Sequence, residues 1–100
     1  MLNLSLLNAS ASLKDLTLRA LNGLPEPASL MDICSEDAAH VDGIRARWNV
    51  PGAAGAYLVA VFWDDCISIY AMDKSVTDAT LEWSELRQLA AWLRDSGIAV

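Results

Sequence analysis

The sequence predicts one α+β domain over residues 1–100. It consists of a small antiparallel β-hairpin or three-stranded sheet at about residues 56–83, packed against a C-terminal helix (84–96) and N-terminal helices (13–22 and 30–47). Three observations carry that expectation. Residues 56–73, AYLVAVFWDDCISIYAMD, are two short apolar runs parted by Asp64-Asp65 and rich in residue types that suit a pleated, half-buried surface. On either side, apolar residues recur at helical spacing. Turn-formers punctuate the chain where those patterns stop: Asn22-Gly23 followed by Pro25 and Pro27, the stretch 49–55, and Gly97. One hundred residues are enough for a single core with little surplus stability.

At the start of the chain, Leu2, Leu4 and Leu6 alternate with Asn3 and Ser5, a pattern that fits an edge strand or a frayed end. Ser10 or Ser12 is placed to cap the first helix, because a serine oxygen can satisfy an orphan amide there. Asp15 falls in the first turn, where its charge suits the helix dipole, if Ser12 is the cap. Leu13, Leu16, Ala20 and Leu21 form the apolar stripe.

Residues 26–48 read as a second helical region in two pieces. Ser29 caps 30–34. Ser35-Glu36-Asp37 opens the second piece, with Ala38, Val41, Ile44 and Trp48 inward. Gly43 weakens that piece by about 1 kcal/mol relative to alanine.

In the hairpin, Tyr57, Val59, Val61 and Trp63 share one face of the first strand, and Leu58, Ala60 and Phe62 the other. Both faces are apolar, as in a strand that sits inside a sheet or is covered on both sides. On the return strand Ile67, Ile69 and Ala71 oppose Ser68 and Tyr70. After a polar turn at 73–78, residues 79–83 read as a third strand with Leu81 and Trp83 inward, or as the first turn of the last helix. Ser84 caps that helix, and Leu86, Leu89, Ala90 and Leu93 make its stripe. Gly97 stops it and Ile98 packs back. Trp92 lies off the stripe.

The composition is 54% hydrophobic with four Trp, above the usual apolar share, so an interface is expected to take up part of that surface. The net charge is −6, from 13 acids against seven bases. Only one lysine lies beyond residue 14, which argues against direct nucleic-acid or anionic-membrane binding and for a partner with a basic surface. No run approaches a membrane span, and the N-terminus lacks a basic n-region, so a cytoplasmic protein is expected. Cys34 and Cys66 are expected to be reduced, small, buried residues.

No catalytic signature stands out. His40 is the lone histidine and shares no metal-ligand spacing with Cys34. Glu36-Asp37 and Asp64-Asp65 are explained by capping and turn solvation, and there is no phosphate loop or nucleophile elbow. The expectation is a protein with no enzymatic activity, metal or cofactor.

Three functional readings remain. In the first, the chain is a small acidic protein-interaction module that binds a partner or itself through an apolar and aromatic face, with Trp63, Tyr70, Trp83 and Trp92 as contacts. In the second, it is an acidic inhibitor that blocks the basic groove of a nucleic-acid-binding protein through Asp64, Asp65, Asp73, Asp78, Glu82 and Glu85. In size and charge alone it resembles small acidic proteins of phages and mobile elements, anti-CRISPR proteins among them. In the third, it is a winged-helix-like regulator: helices 13–22, 30–34 and 36–47 followed by a hairpin have the right order.

Overall fold

The fold is a five-stranded antiparallel meander, order β1-β2-β3-β4-β5, with one helix before it and one after it. The coordinates are a computed structural model. It describes residues 4, 7–34, 41–52, 55–72 and 76–98, with only the backbone of 72 and 76–78. The elements are α1 (Ala11–Leu21), β1 (Ser29–Cys34), β2 (Val41–Asn49), β3 (Tyr57–Trp63), β4 (Cys66–Met72), β5 (Val76–Glu82) and α2 (Arg87–Asp95). A 3-10 turn, Trp83–Glu85, leads into α2.

The α+β class, the hairpin and both flanking helices are as the sequence predicts. Asp64 and Asp65 form the two-residue connection between β3 and β4. Ser10 is the cap of α1: its Oγ accepts from the Leu13 amide at 3.2 Å. Asp15 therefore lies beyond the first turn, where it pairs with exposed Arg19 at 3.0 Å. Leu13, Thr17, Ala20 and Leu21 are the buried residues of α1. Thr17 replaces Leu16 in the expected stripe, and its buried hydroxyl has no hydrogen-bond partner. Gly23, at φ 88°, ends the helix.

The N-terminal helical region at 30–47 is overturned: this stretch supplies strands β1 and β2. Two periods overlap here. Val41, Ile44 and Trp48 fit a helix, but Ile44, Ala46 and Trp48 alternate strictly with Arg45 and Arg47. The strand period wins because β3 is apolar on both faces and needs a neighbour on each side. In register, Ile44 stands opposite Phe62, Ala46 opposite Ala60 and Trp48 opposite Leu58. This also removes the helix order that a winged-helix regulator requires. The sheet gains two strands beyond the expected three, and β5 starts at Val76, inside the expected turn.

Leu4 lies outside any strand and its carbonyl accepts from the Leu7 amide at 3.1 Å, while Leu2 and Leu6 of the expected edge strand lie outside the described residues. The cap expected at Ser35-Glu36-Asp37, His40, and the turn residues 73–75 lie outside the described residues.

At the C-terminal end, Ser84 sits within the 3-10 turn. Glu85 makes the capping contact instead, its Oε1 accepting from the Glu82 amide at 3.0 Å. Gly97, at φ 92°, and Ile98 close α2 in a Schellman arrangement: the Ile98 amide donates to the Leu93 carbonyl and that of Gly97 to Arg94.

Both helices pack on one face of the sheet. Phe62, Ile67, Leu89 and Leu93 are fully buried there, with Ala46, Ala60, Leu81, Ala20 and Leu21 around them. A smaller cluster of Leu4, Ala9, Leu13 and Ile44 extends the same layer towards β1. Asp32 ties the N-terminal segment to β1, its carboxylate accepting from the Asn8 and Ala9 amides at 2.7 and 3.2 Å. The indole of Trp48 donates to the Pro25 carbonyl at 2.8 Å and holds the chain that follows α1 against the sheet.

Candidate functional site

The opposite face of the sheet is covered by no described helix or loop. Strand alternation and the pairing registers place Met31, Gly43, Arg45, Arg47, Tyr57, Val59, Val61, Trp63, Ser68 and Tyr70 on it. Its centre is dry even though the face is open. Val59 is 0% exposed and Val61 6%, with Arg47 and Tyr70 beside the first in the ladder and Arg45 and Ser68 beside the second. The Arg47 guanidinium carbon lies 3.8 Å from the centroid of the Tyr57 ring, a cation–π stack, and its Nε donates to Asn49 Oδ1 at 3.2 Å. Arg45 reaches across β1 to the Met31 sulfur at 3.4 Å. Trp63 donates its indole N–H to Ser68 Oγ at 3.0 Å.

Gly43 is what lets Trp63 lie flat here. A Cβ at that position would stand 2.8 Å from Trp63 Cε3, with no room between strand and ring. The glycine read from sequence as a weak point in a helix is a seat for an aromatic ring on a strand.

The predicted contact residues divide between the two faces. Trp63 and Tyr70 share the open face, both half-buried. Trp83 turns to the helix side: it packs on the main core, its ring 5.9 Å from that of Phe62, and its indole donates to the Trp63 carbonyl at 2.9 Å. Trp92 also packs against that core. Asp64 and Asp65 are exposed at the β3–β4 turn, beside Trp63. Glu82, at the end of β5, is exposed and stands opposite Cys66, while Glu85 is half-buried in the 3-10 turn and accepts from the Glu82 amide. Asp78 stands opposite Tyr70 in the ladder, and Asp73 lies outside the described residues.

Sequence reasoning missed Arg45, Arg47, Tyr57 and Met31 as members of this surface. The signal was the alternation I-R-A-R-W at 44–48, which puts both arginines on the face away from the core. The expected excess of bare apolar surface is also smaller than composition suggests. Among the described residues, the large hydrophobics left exposed are Leu18 and Met31.

Cys34 and Cys66 are both free. Neither is buried as expected: Cys34 is exposed at the end of β1 and Cys66 is half-buried, because each lies at a strand end on the rim of the sheet. Burial pushes the Cys66 thiol pKa up, and the hydrogen bond to Asp65 and that carboxylate's negative charge push it the same way. The thiolate is disfavoured, which makes Cys66 a poor nucleophile.

A cavity of about 650 Å³ opens at the end of α1, lined by Leu18, Arg19, Leu21, Asn22, Gly23, Leu24 and Glu26, with no histidine or cysteine among them. Among the described residues, no three His, Cys, Asp or Glu side chains are grouped to hold a metal, and no helix is long and apolar enough to cross a membrane. Comparison of the chain with protein families, with curated proteins and with solved structures gives no match.

Proposed function

We propose that this protein is a cytoplasmic, non-enzymatic interaction module that binds a protein through the open face of its sheet. One observation supports the reading above the others: both helices and the main core lie on one side, and the side that no described helix or loop covers carries Tyr57, Tyr70, Trp63, Met31, Arg45 and Arg47. Tyr, Trp, Met and Arg are the residue types enriched at the centres of protein interfaces. The Trp63 indole and both guanidinium groups are held by hydrogen bonds, and Arg47 also by the Tyr57 ring, so less side-chain entropy is lost on docking. The absence of lysine among these six, and the chain's overall charge of −6, favour protein over nucleic acid as the partner.

The second reading, an acidic inhibitor of a basic groove, draws support from exposed Asp64, Asp65 and Glu82 at one end of the sheet. Affinity capture with the full chain separates the two. On the first reading, a protein retained by wild type is lost with Tyr70→Glu and survives 0.5 M salt at about the same level. Retention that tolerates Tyr70→Glu but disappears with Asp64→Lys/Asp65→Lys, or in that salt, sinks the first reading and supports the second.

A further inference from the structure

The open face is electrically two-sided. Arg45 and Arg47 lie on β2, where a thioether, an amide oxygen and a phenol ring are among the groups they touch. The carboxylates of Asp64, Asp65 and Glu82 gather at the opposite corner, around the β3–β4 turn and the end of β5. Between the two charge groups run Val59, Val61, Tyr70 and Trp63. A partner of purely basic surface would face the arginines, and a purely acidic one would face the carboxylates. Either would leave like charges opposed or a desolvated guanidinium unpaired, which costs more than the apolar contact returns.

A second copy of this chain presents both signs in the required order. Resting on the reading above, we propose that the open face docks on the same face of a second copy, making a two-sheet sandwich about a two-fold axis. The axis lies in the interface plane, at right angles to the line joining the arginines to the carboxylates. It carries Arg45 and Arg47 of each copy onto the Asp64-Asp65 corner of the other, twice, with the valine and aromatic centre between them. Two sheets stacked in this way pack about 10 Å apart with their inner side chains interdigitated.

Five strands about 4.8 Å apart and about seven residues long make a footprint of roughly 500 Å² per copy. That is above a typical lattice contact and below the roughly 800 Å² per partner of a standard interface, so the dimer dissociates on dilution.

Sedimentation of the full chain over a range of concentrations tests this. Wild type goes from monomer to dimer with rising concentration. Arg45→Glu/Arg47→Glu and Asp64→Lys/Asp65→Lys, each checked for folding by circular dichroism, weaken the dimer at least tenfold. An equimolar mixture of the two variants restores a one-to-one dimer, because the swapped charges again oppose each other. Wild type that stays monomeric at several hundred micromolar overturns self-docking. It leaves the interaction module standing if Tyr70→Glu still abolishes capture of another protein. A dimer indifferent to both charge swaps also overturns the proposal, since it points to pairing of the β1 or β5 edges. Binding of a fluorescent single-stranded RNA that depends on Tyr70 overturns it in favour of base stacking.

Discussion

The two faces of this sheet are built from the same strands and hide their central residues by different means. On the helix side, Phe62, Ile67 and Ala60 are buried beneath α1 and α2, elements far from them in sequence. On the open side, Val59 is as inaccessible as Phe62, yet the residues beside it in the ladder are Arg47 and Tyr70 of its own sheet. Burial values alone would equate the two positions. The difference is that a side-chain canopy can move aside for a partner, whereas α1 and α2 cannot leave without unfolding the protein. The helix side should therefore carry most of the stability, and the open side is the surface proposed to act in recognition.

The largest expected effect tests that division. Phe62→Ala opens a cavity under α2 and should cost about 3–5 kcal/mol in chemical denaturation, while Tyr70→Ala on the open face should cost about 1 kcal/mol or less. Equal losses would mean that the open face contributes to stability as much as the core does. Next in size is Gly43→Val. The branched side chain must displace the Trp63 ring, so stability should fall by about 1–3 kcal/mol and indole fluorescence should shift to the red. An unchanged emission spectrum would show that Trp63 does not rest on the glycine. The smallest effect has the opposite sign and lies on the helix side. Thr17→Val removes a buried hydroxyl that has no partner and keeps its shape, so the protein should gain about 1 kcal/mol. A loss there would reveal a hydrogen bond to that oxygen.

Much of the fold could be read from local chemistry. The β3–β4 hairpin, its face assignment, Ser10 as one of the two candidate caps of α1, the Gly97 stop, and Leu89 and Leu93 of the α2 stripe each depend on residues within a few positions of one another, and each is as expected. Residues 29–49 were different. Arginine and alanine favour helices, and Val41, Ile44 and Trp48 have a helical period, so local preference pointed the wrong way. Only β3 could decide the matter. Its backbone needed a partner on the side away from β4, and its Ala60 and Phe62 needed flat neighbours in register.

The same cause limited what could be read of the candidate surface. Trp63 and Tyr70 were visible as contacts because they sit in the hairpin. The arginines beside them were assigned to a helix and so to another part of the molecule. Trp83 and Trp92 were indistinguishable from them by residue type, and they turned inward because the 3-10 turn and α2 fold over the opposite face.

By itself, then, the sequence determined the class of the protein, its hairpin, the glycine stops of both helices and its acidic character, since these follow from short-range pattern and composition. Tertiary structure alone decided that 29–34 and 41–49 pair as strands, that both helices choose one side, and that two arginines share the other with three aromatic rings. Those outcomes depend on which distant backbone has hydrogen bonds left to satisfy, and no local window contains that information.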